Sequence, residues 1–593
     1  MIRQGSGQKT SPEVIAQYRQ KAAEALVPAL HSPDWQVRRA AALALGQMGW
    51  QDGYGTLLDL IKAERDERVI CIAFIALGLL DTPQSRDYLL SYNYPTNQQR
   101  DAGLCALGLS TQPSEPVTNA LQRVLRDAPD PYQASIAAWA LRARGGEADR
   151  RILQQVATGS LSLWLTSEAL LAMGQDSRAL NGDLVAAVLL NAPQAAQSIA
   201  VIRDLMARKE HTLSNLNKVR SANQRYAQVY EQYLQDTQAF NAANPNLATR
   251  PSGQADTMFA SFVLGYEEIC IARLQASAAI ALGGMDVPAA GQALLKSLQA
   301  RDDGYNELYK GFAIMSLGQL GDEAAAKYMR DLLNPMLGPG AHKSRENIKS
   351  PLRGYAAVAL GLYCQPVKTP QGPIDRPGWE ELTRLLAERM ADVKEEDEVR
   401  TAAALALGLA GRTENLRYLI PASTTIEGNN ELLAGYAILA RGMLGDRNVV
   451  APAQKLLDKG NDRDDTSGLL ARRAAVLGLA LCGSDEALPV LVQAWHLSYF
   501  TNRETLLALS LRETYSILDD AVKLLNESPD AWERAFAARC LGEMLMPARP
   551  SRLDRILQGG NYTIRNDRLM PYQTLANEFM YLHLLPAFGK AWR

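Results

Sequence analysis

The sequence is poor in most of the residues that catalysis, export or metal binding leave behind. Its 593 residues include five histidines, six cysteines and 7% aromatics, and 62 Lys+Arg against 64 Asp+Glu leave a formal charge of -2. The histidines are His31, His211, His342, His496 and His583; none precedes Glu and no two lie four apart, so HExxH zinc chemistry is absent. No CxxC occurs among Cys71, Cys105, Cys270, Cys364, Cys482 and Cys540, whose Ala/Leu-rich settings suit buried, reduced thiols in a cytoplasmic protein. The opening MIRQGSGQKTSPEV lacks the apolar run of a secretory leader, although an exported form with its leader removed is also compatible. The longest apolar run, Val69 to Leu80, is too short for a membrane helix, which needs about 18–20 residues. Near-neutrality argues against a chain devoted to a nucleic-acid backbone. GSGQKT lacks the adjacent Gly-Lys of a phosphate loop, and DRDDTSG lacks the Gly and distal Glu of a calcium loop. No catalytic residue, metal ligand or cofactor site is assigned.

What the chain does contain is one phrase, repeated. It reads VRRAAALALGQMG at 37–49, VICIAFIALGLL at 69–80 and QRDAGLCALGLS at 99–110. It returns as LQASAAIALGGM at 274–285, LRGYAAVALGLY at 352–363, VRTAAALALGLAG at 399–411 and ERAFAARCLGEM at 533–544. The glycines set a ruler: Gly46 to Gly78 is 32 residues, Gly78 to Gly108 is 30, and Gly408 to Gly442 is 34. The ruler locates degenerate copies at 132–146 and around Ser510, giving about 13 or 14 units. Ala and Leu favour helix over strand. Small residues on successive turns let helix backbones approach, and the closing Gly permits either a left-handed helix end or a close crossing. The segments after the glycines carry Leu at i, i+3, i+4 spacing, and Asp322 and Asp446 are placed to cap them. Neither helix of such a pair hides its apolar face alone, so the units must stack. The expected fold is all-α, an α-solenoid of about 13–14 stacked hairpins.

Asp34, Val37, Arg38 and Gly46, with the alanines between, resemble the HEAT-repeat family, and within it the short bacterial variety also found in phycobilisome-lyase-type proteins. The basic position recurs at Arg100, Lys310, Arg353, Arg400 and Arg534. The resemblance implies a structural role for this residue, bridging to Asp or to carbonyls of adjacent turns. It is specific for fold and nearly silent on function. The organisation expected is an N-terminal capping helix (1–35), an array (36–206), a polar insertion with a long helix over 207–240 and a loop to 256, a second array (257–545), and a terminal cap or tail (546–593). The acidic turn Glu395, Glu396, Asp397 and Glu398 reads as N-capping, and 364–380 as a Pro-rich excursion ending in Trp379.

The function expected is a non-catalytic scaffold or adaptor that binds a protein partner, or a large complex, along the concave face. Two segments offer candidate binding residues. The basic loop 334–354 carries Lys343, Arg345, Lys349 and Arg353, and the tail carries Arg565 and Arg568 interleaved with Tyr562 and Tyr572. If these converged they would favour the alternative of nucleic-acid binding. The family resemblance adds another alternative, a bilin-lyase-like enzyme, for which no residue here matches a catalytic role.

Overall fold

A computed structural model describes residues 11–110, 112–127, 131–159, 163–174, 182–208, 212–222, 224–243, 266–285, 288–300, 307–334, 350–426, 430–459, 466–497, 505, 508–509 and 517–546. Among them the chain is helical apart from one two-stranded hairpin. It forms two compact units, one of residues 1–149 and 321–593, the other of residues 150–320.

The first unit begins with α1 (Pro12–Ala29), α2 (Trp35–Gln47), α3 (Gly53–Ala63), α4 (Glu67–Leu80), α5 (Pro83–Ser91), α6 (Asn97–Leu109), α7 (Glu115–Asp127) and α8 (Pro131–Arg144). Helix α9 (Glu147–Gly159) spans the boundary. The second unit holds α10 (Leu163–Gly174), α11 (Gly182–Ala207), α12 (Leu213–Ala222), α13 (Gln224–Ala243), α14 (Tyr266–Gly284), α15 (Pro288–Gln299) and α16 (Glu307–Leu320). The first unit resumes with α17 (Glu323–Leu333), α18 (Ser350–Tyr363), strands β1 (Val367–Thr369) and β2 (Gly372–Ile374), α19 (Trp379–Ala391) and α20 (Asp397–Leu409). It continues with α21 (Leu416–Thr424), α22 (Glu431–Met443), α23 (Val450–Leu457), α24 (Thr466–Leu481) and α25 (Ala487–Leu497), then α26 (Leu518–Glu527) and α27 (Ala531–Met544).

Short polar side chains start these helices where the repeat predicts. The carboxylates of Asp34, Asp66 and Asp530 accept from the backbone N–H of Gln36, Arg68 and Trp532 at 2.7, 2.9 and 2.8 Å. Asp322 caps α17 through Ala324 N–H at 2.7 Å, and Asp446 caps the turn before α23 through Asn448 N–H at 3.0 Å. Thr82 and Ser85 close a reciprocal capping box on α5.

The Ala/Gly helices stack in rows. In the first unit α2, α4, α6 and α8 follow one another, as do α18, α20, α22 and α24; in the second, α10, α14 and α16 do. The partner helices lie to one side and touch each other far less. The two uses of glycine fall on different residues. At Gly46, Gly78, Gly108 and Gly408 a β-carbon would sit 2.3–2.8 Å from backbone or Cβ atoms of Ala76, Ala106, Ala140 and Ala440, so these glycines set the spacing of the row. Three residues on, Gly49, Gly411 and Gly445 have φ of 63°, 68° and 75° and turn the chain. Asp81 takes that place in its repeat at φ 52°, its carboxylate held by Arg86 at 2.7 Å and by the Ser110 hydroxyl at 2.5 Å.

Two features depart from the sequence reading. First, α1 and α2 do not stand at an open end: α1 packs on α26 and α2 on α27. The row therefore runs α27, α2, α4, α6, α8. Second, the helix expected over 207–240 is two, α12 and α13, which fold against each other and against α11. Leu216, Val219, Ala227, Tyr230 and Leu234 are buried there. Their three- and four-residue spacing is an apolar stripe, narrow enough to be masked by the polar residues around it. The insertion is thus a packed helical pair over its described residues.

Candidate protein interface

The rows themselves are core. Every residue from Ala40 to Met48 in α2, from Val69 to Leu80 in α4 and from Val399 to Ala410 in α20 is buried. A partner therefore meets these helices at their first turns, where side chains emerge, and along the partner helices and loops.

The recurring arginine is spent on the fold. Arg38 donates to Glu64 at 2.6 and 3.1 Å and to the carbonyls of Ser32 and Pro33 at 2.8 and 3.0 Å. Partial burial acts to raise the Glu64 pKa, but hydrogen bonds from Arg38 and from the N–H groups of Asp66 and Arg65 outweigh it, so the carboxyl titrates below its ordinary value. Arg400 donates to the Met390 carbonyl at 3.2 Å, to Asp397 at 3.1 Å and to Asn430 at 3.3 Å. Arg441, beside Gly442 and outside that recurring position, pairs with Asp446 at 2.7 Å and donates to Ser423 Oγ at 2.7 Å.

Arg353, expected as a binding residue, is 3% exposed and paired with Glu395, so its guanidinium is not offered to a ligand. The same pair revises the acidic turn. Glu396 sits at the N-cap of α20 without a side-chain capping bond. Glu395 is instead a buried counter-ion, with Arg389 a further 3.7 Å away. The turn is acidic because it neutralises arginines.

What emerges at the first turns includes two tryptophans and an arginine among other polar residues. Counted back from Gly542, Gly46, Gly78 and Gly108, the residues ten and eleven before bring Trp532, Trp35 and Gln36, Glu67 and Arg68, and Asn97 and Gln98 to one edge across α27, α2, α4 and α6. The Arg68 guanidinium lies 3.5 Å from the Trp35 ring centroid and is held in place by Asp66 at 2.6 Å. Arg39 approaches the same ring at 5.3 Å. Trp532 is 44% exposed and stacks obliquely on Phe536, with ring centroids 6.4 Å apart. The edge is not uniformly positive: Asp66, Glu67 and Glu533 interleave with Arg39, Arg68 and Arg100. The Asp66 carboxyl titrates below its ordinary value, chiefly through the hydrogen bond from Arg68.

The family model of HEAT repeats matches residues 23–108, the stretch from α1 to α6. These are HEAT repeats. No curated protein matches the chain. The match takes in Trp35, Arg39 and Arg68, while the glycine contacts carry the same stacking geometry through α18, α20 and α22.

Other expected binding residues lie outside the described residues: Lys343, Arg345 and Lys349 in one segment, and Tyr562, Arg565, Arg568 and Tyr572 in another. Among the described residues, no group of His, Cys, Asp and Glu is arranged to hold a metal ion, and no helix is long and apolar enough to cross a membrane. Cys71, Cys105, Cys364, Cys482 and Cys540 are buried and in no disulfide, and burial pushes the Cys364 thiol up to about 12, against the opposing pull of Arg412 and Arg376.

The Pro-rich excursion interrupts the HEAT pattern as a β-hairpin with Val367 opposite Ile374, both exposed. Its base is clamped: Arg412 pairs with Asp375 at 2.7 Å and stacks 3.7 Å from the Trp379 ring, and the Tyr363 hydroxyl donates to the Pro377 carbonyl at 3.1 Å. A two-residue turn makes Thr369–Gly372 the inward-bonded pair, so Lys368 and Pro373 direct their backbone outward. Pro373 has no N–H to offer, and Pro366 removes another from the β1 edge. The hairpin is therefore built against strand addition.

Proposed function

We propose that this HEAT protein is a non-catalytic scaffold that binds a protein partner, and that the edge carrying Trp532, Trp35, Arg39 and Arg68 is part of the contact. The observation that supports this is the prearranged stack of exposed Arg68 on half-buried Trp35 at the rim of a buried helical row. Trp and Arg fixed in place before binding lose little side-chain entropy on contact, and they are the residues most often found at the energetic centre of interfaces. Interleaved acids favour a protein partner. A phosphate backbone would meet Asp66, Glu67 and Glu533 along with the arginines, and its affinity rests on unopposed positive charge.

The test is crosslinking and mass spectrometry in native extract with wild type and the double variant Trp35→Ala/Trp532→Ala, both first shown to retain the same helical content. Partners crosslinked to α2, α4 or α27 in wild type, and depleted about tenfold in the variant (about 1.4 kcal/mol, modest for loss of two aromatic anchors), support the reading. Equal recovery by both proteins, or recovery of the bait alone, rejects it.

A further inference from the structure

The contact between the first and last described hairpins reproduces the contact between consecutive repeats. A β-carbon on Gly542 would lie 2.6 Å from Ala44 Cα and 2.9 Å from Ala44 Cβ. One on Gly46 would lie 2.6 and 2.8 Å from the same atoms of Ala76, and one on Gly408 would lie 2.7 and 2.8 Å from those of Ala440. In each case the alanine stands two residues before the next repeat's glycine: Ala44 before Gly46, Ala76 before Gly78, Ala440 before Gly442. The last hairpin thus treats the first as the next repeat in line.

In one respect this rung differs from the others. Most consecutive hairpins are joined by a few residues, so their rungs form within a short loop; the Gly174–Ala281 rung, which brackets the insertion, is intermediate. The Gly542–Ala44 rung joins positions nearly the whole chain apart, and its closure carries the entropy of a far longer loop. Polar contacts across it lie at its margin: Lys21 meets Asp519 at 2.7 Å with both side chains at least half exposed, and Arg19 donates to the Leu545 carbonyl at 3.1 Å. The exposed Lys21–Asp519 pair adds little, whereas the Arg19 bond is partly buried.

We propose that this rung is a seam that opens while the hairpins on either side stay folded, and that the two faces it frees recognise a second copy of this chain, head to tail. The faces need no remodelling, because the last hairpin fits the first hairpin of any copy in the same register. Within one molecule the high effective concentration keeps the seam closed, so pairing between copies grows with protein concentration.

Two variants test this by complementation. Gly542→Val spoils the last hairpin's face and leaves the first intact; Ala44→Val does the reverse. Hydrogen exchange in the wild type is expected to be at least about tenfold faster in α2 and α27 than in α20 and α22. Each variant alone is expected to be monomeric, with α2 and α27 faster still and α20 and α22 unchanged. Mixed one to one, they are expected to form a species of twice the mass, which neither forms alone. Wild-type exchange in α2 and α27 as slow as in α20 and α22 would overturn the seam. A mixture that stays monomeric, with α20 and α22 protected, would overturn recognition of a second copy.

Discussion

At Gly46 the space a side chain would need is occupied by the backbone of Ala76, whereas nothing lies within 4 Å of a β-carbon at Gly445. The first glycine is needed for room and the second for its φ of 75°. The sequence reading gave both purposes to the glycine that closes each phrase, since periodicity shows where glycine recurs and not which neighbour faces it. Substitution separates them. Gly46→Ala must push α2 and α4 apart and is expected to cost about 1–3 kcal/mol, as overpacked cores do. Gly445→Ala meets no neighbour and is expected to cost about 1–2 kcal/mol from the left-handed backbone alone. The two differ in kind as well as size. Exchange protection should fall in α4, across the rung, for the first, and only at the end of α22 for the second. Spreading of the Gly445 effect to a neighbouring row helix would refute the division.

At the scale of elements, helix existence and order were legible because Ala/Leu phrases, capping Asp and Leu spacing agree with one another. The buried pair of Arg353 was not, because its partner lies one repeat away. Arg353 and Glu395 are 42 residues apart, and in the sequence each looks like part of its own charged loop. Breaking that buried pair with Glu395→Gln leaves Arg353 without its counter-ion. Denaturant unfolding should show a loss of about 3–5 kcal/mol, against less than about 1 kcal/mol for Asp519→Asn at an exposed pair. Comparable losses for the two would show that burial does not govern these pairs. The carboxylates of Glu64 and Asp66 add a pH dependence of known sign. Both have folded pKa values below their ordinary ones, so their stabilisation is fully present above the unfolded value and disappears as pH falls through the folded value. Thermal stability of the wild type should therefore decline below the ordinary carboxylate range, near pH 4. Arg38→Met should flatten the part of that decline due to Glu64. An acid limb unchanged by Arg38→Met would assign the dependence to other groups.

For the molecule as a whole, the ruler revealed that hairpins stack and said nothing about where stacking stops. Most rungs share the Gly-to-Ala register, with Ser316 opposite Gly283 and Gly478 opposite Gly442 as departures, so the register does not distinguish a hairpin that ends a row from one that meets the beginning of the chain. The expectation that the first helix caps an open end followed from that silence. The structure puts α27 on α2, so the described beginning and end of the chain are neighbours inside one row of the first unit. If that rung is energetically a rung like the rest, the place where the chain is cut is arbitrary. A circular permutant joining Arg593 directly to Met1 tests this when its new ends fall in the connection between α6 and α7. It keeps every residue, turns the Gly542–Ala44 rung into one within a continuous chain, and makes the α6–α8 rung the one that must close over a distance. The expected outcome is native helical content and a thermal midpoint within a few degrees of the parent. Fast hydrogen exchange should move from α2 and α27 to α6 and α8, because loop length sets the weakness of a seam and the packing does not. Exchange that stays fast in α2 and α27 after permutation would mean the rung is intrinsically poor, and that its likeness to the others ends at geometry.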